Sequence, residues 1–251
     1  MLLLIDIGNT NTTIGLYDKG IKHVLKIKTV ADGGTDDYSF LLNSFIKKHR
    51  MRAPEGVAIC SVVPKATPLV STAIRKVFRI EPLVVSSKIK TGLKFKINNP
   101  ANLGADRIAA AAGAHKLYKW DLIVIDFGTA TTLCVVTANG EYLGGAIMPG
   151  IGISAEALSE KTAKLPYVKL NAPERAVGRD TKENILAGLV IGHAGAVERI
   201  IKEIKKEVGI NPKVIATGGM ADFISPYIKG IRYVKHFLTL EGLRIIHELN
   251  A

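Results

Sequence analysis

Leu2-Leu3-Leu4-Ile5-Asp6-Ile7-Gly8-Asn9-Thr10 lies at the start of the chain, and Leu122-Ile123-Val124-Ile125-Asp126-Phe127-Gly128-Thr129 repeats its pattern near the middle of 251 residues. Each is a run of β-branched and leucine residues that ends in Asp-x-Gly and enters a hydroxyl-rich turn, with another apolar run behind it. That pattern predicts a buried strand, a tight turn and a return strand, twice. In such a turn the glycine lets the backbone approach a ligand, Asn and Thr side chains supply hydrogen bonds, and the strand-end aspartate can hold a cation. Two copies facing each other would form a nucleotide-sized cleft.

Working outward from the first copy, residues 12 to 17 read as the return strand and residues 22 to 30 as a further strand after the turn at Gly20. Thr35-Asp36-Asp37 offers cap chemistry for a helix with an apolar face of Tyr38, Leu41, Leu42, Phe45 and Ile46. Gly56 to Val63 reads as a strand ended by Pro64, Leu69, Ala73, Ile74 and Val77 have helical spacing, and Pro82 to Val85 reads as a strand. Around the second copy, Leu133 to Thr137 is strand-like. Gly144-Gly145-Ala146-Ile147-Met148-Pro149-Gly150 reads as a glycine-rich turn before a helix near residues 153 to 160. A long helical pattern then passes through Ile185, Leu189, Ile200, Ile201 and Ile204, with Thr181 as its candidate cap and the lone His193 assigned no role. Val214 to Gly219 is a strand running into a paired-glycine turn. Alternating strands and helices place the chain in the α/β class, divided at the repeat into residues 1–117 and 118–251.

Composition narrows the rest. Apolar residues make up 47% and charged residues 22%, which excludes wholesale disorder. The net charge of +12 would suit small anions, nucleic acid or an acidic surface, but lysines and arginines are spread in short clusters such as Lys47-Lys48 and Lys205-Lys206. With no basic arm visible, a solvated surface accounts for that charge, and neither a nucleic-acid partner nor a membrane is expected. Asp6 cuts the first apolar run short and no basic leader precedes it, so it reads as a strand rather than a signal peptide or membrane span. Cys60 and Cys134, the only cysteines, sit in apolar strands and read as buried reduced thiols of a cytoplasmic protein.

Between the two copies, Asn98-Asn99-Pro100 marks a loop. Leu103-Gly104-Ala105-Asp106-Arg107 leads into the alanine-rich Ile108 to His115, which is a helix by propensity. Asp106 and Arg107 therefore fall in the first helical turn. Asp106 has two open readings there, a helix cap or a base beside an anion-binding helix end; Arg107 is either solvated or a bidentate partner for a carboxylate or phosphate.

Taken together, Asp6-Ile7-Gly8-Asn9-Thr10, Gly104-Ala105-Asp106-Arg107, Asp126-Phe127-Gly128-Thr129-Ala130-Thr131-Thr132, Gly144-Gly145 with Pro149-Gly150, Thr162-Ala163-Lys164-Leu165-Pro166 and Thr217-Gly218-Gly219 resemble the type III pantothenate kinases, from the first strand to near the C-terminus. The resemblance implies two related ribonuclease H-like (actin-like ATPase) domains with mixed sheets flanked by helices. It implies phosphorylation of pantothenate by ATP, the first step of coenzyme A biosynthesis, by a homodimer whose interface helps build the pantothenate site. Carried over to matching positions, Asp6, Ile7, Gly8, Asn9, Thr10, Asn11, Thr12, Thr13 and Thr129 would bind ATP, with Asp6 near Mg2+ through the phosphates. Asp126 would bind a monovalent cation, K+ or NH4+. Gly104, Ala105, Asp106, Arg107 and Thr181 would contact pantothenate, with Asp106 as the catalytic base. Ile97 stands where the family usually places a substrate-contacting tyrosine, and Cys134 where an acidic residue is frequent. Two other readings differ in class: another small-molecule kinase of the superfamily, or a non-enzymatic transcription accessory factor.

Overall fold

In the computed structural model, which describes residues 1–30 and 33–251, the chain forms two compact units, residues 1–118 with 238–251, and residues 119–237. The first begins with β1 (Leu2–Ile7), β2 (Asn11–Tyr17) and β3 (Ile21–Lys28), followed by α1 (Thr35–Lys48), β4 (Gly56–Ser61), α2 (Ala66–Phe78) and the two-residue strands β5 (Leu83–Val84) and β6 (Lys94–Phe95). A 3-10 turn at Pro100–Asn102 leads into α3 (Ala105–Tyr118). Strands β1 to β5 form a sheet in the order β3-β2-β1-β4-β5; β1 is antiparallel to β2 and parallel to β4.

The second unit repeats this arrangement. Its strands are β7 (Leu122–Phe127), β8 (Ala130–Val136) and β9 (Glu141–Pro149), then β10 (Lys213–Thr217) and β11 (Ile231–Val234), with α4 (Ile151–Glu160), α5 (Thr181–Val208) and α6 (Ala221–Ile224) between them. These five strands run in the order β11-β10-β7-β8-β9, with β7 antiparallel to β8 and parallel to β10. Each Asp-x-Gly run is thus the middle one of the five sheet strands β1–β5 or β7–β11, and the two sets of five share one topology.

Period-2 alternation decides which side chains reach which face. In β1, Leu3, Ile5 and Ile7 pack against Leu42, Phe45 and Ile46 of α1 and Val70, Ala73 and Ile74 of α2. Leu4 faces the other way, into a cluster with Ala58, Cys60, Ala105, Ile108 and Ala112. Asp6, two residues on from Leu4, shares that second face, which is the face covered by α3. In β7 the alternation is the same: Ile123, Ile125 and Phe127 join Ile185, Leu189, Val190, Val197 and Ile201 of α5, leaving Asp126 on the opposite side. Although α5 is long and apolar enough to cross a membrane by length and composition, its apolar stripe is the wall of this core.

Three expectations need correction. Gly144 to Pro149 is not a turn but most of β9, paired with β8 from Ala130 to Val136. A Cβ on Gly145 would meet the Leu133 carbonyl of β8, so glycine is needed there for close strand approach inside a sheet, which a local reading cannot tell from a turn. Thr181 is not the cap of α5 but its first residue; Asp180 takes the cap, its Oδ1 accepting the Glu183 N–H at 2.8 Å. The last fourteen residues, expected in a domain spanning 118–251, belong to the first unit. They hold α7 (Leu238–Asn250), whose Leu240, Leu243 and Ile246 pack with Ile108, Ala109 and Ala112 of α3. Small residues allow this close crossing: a Cβ on Gly113 would lie 2.7 Å from the Leu238 carbonyl oxygen, and one on Gly242 would meet the Ala109 carbonyl. The alanine run of α3, legible as helix propensity, is also a helix–helix contact surface.

Candidate functional site

In the first unit the turn after β1 is held by its own backbone and by one side chain from β3's far end. The Gly8 N–H donates to the Asn11 carbonyl at 3.0 Å, closing the turn. Thr29 N–H donates to the Thr10 carbonyl at 3.0 Å, and Thr29 Oγ1 donates to the Gly8 carbonyl at 2.6 Å while lying 3.0 Å from Oγ1 of the fully buried Thr12. Two turn carbonyls are therefore occupied by Thr29, while Asn9 and Thr10 stay exposed. Thr29 had no sequence signal of its own: a threonine at a strand's end is ordinary, and its bonding partners lie 17 and 21 residues away.

Asp6 closes β1 on the α3 face. The sheet register sets Cys60 of β4 on one side of it and Thr13 of β2 on the other. The Cys60 thiol donates to Asp6 Oδ1 at 3.2 Å, a role the sequence did not disclose, since an apolar strand predicts only burial for a cysteine. Burial pushes Asp6 from an ordinary 3.8 up to about 6; the Cys60 hydrogen bond opposes this, the Asp106 charge adds to it and the Lys26 charge opposes it. Burial and the neighbouring carboxylates in turn push the Cys60 thiol well up, so it stays protonated and remains a donor.

The structure brings Asp106 near enough to Asp6 for the two charges to be felt. Asp106 sits in the first turn of α3, and its Oδ1 accepts the Arg107 N–H at 2.7 Å. Gly104 makes this fold-back possible, because a Cβ there would lie 2.5 Å from that same oxygen. Burial raises the Asp106 carboxyl above the usual carboxylate range, while the Arg107 N–H and guanidinium oppose the rise. The result is a half-buried, proton-affine carboxylate at a helix N-terminus, with a cationic side chain one residue on. Ile97 lies on the bend ahead of the 3-10 turn, half-buried, and brings no hydrogen-bonding group.

In the second unit, three separate motifs converge on Asp126. The Gly128 N–H donates to the Ala130 carbonyl at 3.1 Å, closing the counterpart turn. Gly150 N–H donates to the Thr129 carbonyl at 3.1 Å, and a Cβ on Gly150 would lie 2.5 Å from the Gly128 carbonyl oxygen. Gly218 has φ +95°, a conformation open to glycine, and a Cβ there would meet Asp126 Oδ1 itself. Paired glycines at 218–219 are thus more than a plain strand-to-helix turn; the first brings backbone against the aspartate. Thr129 is exposed on this turn. His193, given no role by the sequence, is buried beneath it: its Nε2 lies 3.1 Å from Thr131 Oγ1, and burial lowers its pKa so that it packs as a neutral ring. Thr181 stands apart from this group of motifs, at the start of α5, where it lines a cavity of about 490 Å³ with Leu158, Leu165, Asn184, Ile185, Gly188 and Leu189.

A duplicated mixed sheet in which each central strand ends in Asp-x-Gly, followed by a hydroxyl-bearing turn with inward amides, defines a member of the actin-like ATPase and sugar-kinase fold class. The activator of the 2-hydroxyisocaproyl-CoA dehydratase from Clostridium difficile, solved with bound ADPNP, superposes with a TM-score of 0.56 over 99% of this chain and 95% of its own, at 13% identity. Within that class the sequence is specific. The family model for type III pantothenate kinase matches residues 2–203, and two proteins named type III pantothenate kinase align over the whole chain. The one from Syntrophus aciditrophicus is 41% identical and covered in full, and the one from Roseiflexus sp. is 44% identical and covered to 99%. The chain belongs to the type III pantothenate kinase family.

Proposed function

We propose that this protein transfers the γ-phosphoryl group of ATP to the primary hydroxyl of pantothenate, giving 4'-phosphopantothenate in the first step of coenzyme A biosynthesis. The observation that carries this reading, beside family membership, is Asp106: a carboxylate made more basic by burial, fixed at a helix N-terminus by the Arg107 amide and set near Asp6. Asp106 accepts the proton of the hydroxyl as its oxygen attacks phosphorus, and ADP leaves. Arg107 pairs with the substrate carboxylate, while Gly104, Ala105, Thr181 and Ile97 shape the rest of the pantothenate site.

Residues Asp6 to Thr13 and Thr129 hold the phosphates through amides and hydroxyls. Bound Mg2+ would neutralise charge on the transferred group. Asp6, at the end of β1 beside this turn, would hold that ion through the phosphates. Asp126, with a glycine backbone against its carboxylate, holds the monovalent cation, K+ or NH4+. The working form is a cytoplasmic homodimer without nucleic-acid or membrane partners. A coupled ADP-release assay tests the reading: ADP release should depend on pantothenate and rise on adding K+, and an absence of pantothenate-dependent release with and without K+ would overturn it.

A further inference from the structure

The first turn, Asp6-Ile7-Gly8-Asn9-Thr10-Asn11-Thr12-Thr13, contains no lysine or arginine, and neither does Asp126 to Thr132. A nucleoside triphosphate docked there brings several negative charges, which amide dipoles and one divalent ion offset only in part. The sheet register supplies the missing cation. Cys60 pairs with Asp6, Asp6 with Thr13, and Thr13 with Lys26, so these four residues form one row across β4, β1, β2 and β3 and project from the same face.

We propose that Lys26 is a phosphate-binding residue of this kinase, its ammonium reaching across Thr13 to the anion held at the Asp6 turn. The inference rests on the kinase reading above. Adjacent strands lie about 4.8 Å apart, which puts β3 roughly 10 Å from β1, and the flexible four-carbon stem of a lysine closes on the order of 6 Å of that gap. Lys26 is exposed on the edge strand of its sheet, so its ammonium is available to a ligand without first leaving a buried partner. Its charge already acts on the Asp6 carboxylate.

Comparison of the two units strengthens the assignment. The corresponding row of the second sheet is Thr217, Asp126, Thr132 and Ile147. Both rows set a small donor side chain on the parallel strand, an aspartate in the centre and a threonine on the return strand. They differ at the fourth place, where the second unit has an isoleucine that is 62% exposed and the first has the lysine. The row whose turn takes the phosphates carries the cation, and the row assigned to a monovalent cation carries none.

The test is equilibrium binding by calorimetry of MgATP and of adenosine, without pantothenate, to the wild type and to Lys26→Met, Lys26→Arg and Lys22→Met. Lys22 lies on the same strand, four residues back, and its replacement removes the same charge. Lys26→Met should lose about tenfold or more in ATP affinity, as expected for a charge-assisted hydrogen bond, keep its adenosine affinity and show a shallower salt dependence. Lys26→Arg should recover most of the loss, and Lys22→Met should match the wild type. ATP affinity within twofold of wild type in Lys26→Met, an equal loss for adenosine, or an equal loss in Lys22→Met would each overturn the assignment. ADP release with pantothenate, measured on the same wild-type preparation, judges the kinase reading separately. A protein that binds ATP through Lys26 but ignores pantothenate overturns that reading and leaves Lys26 standing, and a wild type without measurable ATP affinity overturns both.

Discussion

Replacing Asp6 by asparagine should make the ligand-free protein more stable while weakening its hold on Mg2+ and ATP. The folded state raises this carboxyl from 3.8 to about 6. A group with a raised folded pKa contributes fully below its unfolded pKa, and that contribution is lost as pH rises through the folded value. The gap, at 1.36 kcal/mol per pH unit, is worth about 3 kcal/mol, so between about pH 4 and pH 6 the wild type sheds about that much stability. Asparagine keeps an oxygen for the Cys60 thiol and carries no charge. Urea denaturation at pH 7.5 should therefore show Asp6→Asn more stable by about 2–3 kcal/mol, with the difference shrinking toward zero at pH 3.5. Equal stabilities at pH 7.5, or a gain of the same size at both pH values, would refute the reasoning. The first would mean that ionised Asp6 is not penalised in the fold, and the second that the effect is not ionisation.

The other predictions concern single contacts. Asp106→Asn retains an acceptor for the Arg107 amide, so the fold should persist while kcat falls about a hundredfold to ten-thousandfold, with the KM for ATP unchanged or lower because one negative charge near Asp6 is gone; steady-state kinetics decide it. Thr29→Val removes the donor to the Gly8 carbonyl and the link to Thr12. It should lower stability by about 2 kcal/mol and raise the KM for ATP several-fold without moving that for pantothenate, and Thr29→Ser should restore both. Gly145→Ala drives a methyl into the Leu133 carbonyl and should cost about 3 kcal/mol or more in urea denaturation. Gly152→Ala, at a helical site with open space around it, should be neutral or stabilising by about 0.5–1 kcal/mol.

What could be read from the chain was whatever depends on neighbours in sequence. The Asp-x-Gly strands, the helix opening at Ala105 and the cap chemistry near residues 35–37 are local patterns, and the structure has all three, down to Asp37 Oδ2 accepting the Gly34 N–H at 3.0 Å. What could not be read depends on register and on distant segments. Gly144-Gly145 carries the composition of a turn, yet β8 passes so close that glycine is required within the strand. Thr29 and Cys60 became meaningful only when pairing set one against the Gly8 carbonyl and the other against Asp6. In a run of Gly-Arg-Asp-Thr, two adjacent residues both suit a helix cap, and one residue of backbone phase gave it to Asp180 rather than Thr181.

The return of α7 to the first unit sets an order of events during synthesis. The alanine-rich side of α3 that it covers belongs to residues made early, while residues 238–250 are made after all of the second unit. Throughout translation of the intervening 119 residues, the nascent first unit presents an uncovered apolar helix beside its sheet, bearing Asp106 at one end. A chain released before α7 leaves the ribosome keeps that surface bare, a ready site for chaperones and for aggregation. The helix carrying the proposed base is therefore made before the whole of the second unit but fully packed only after it.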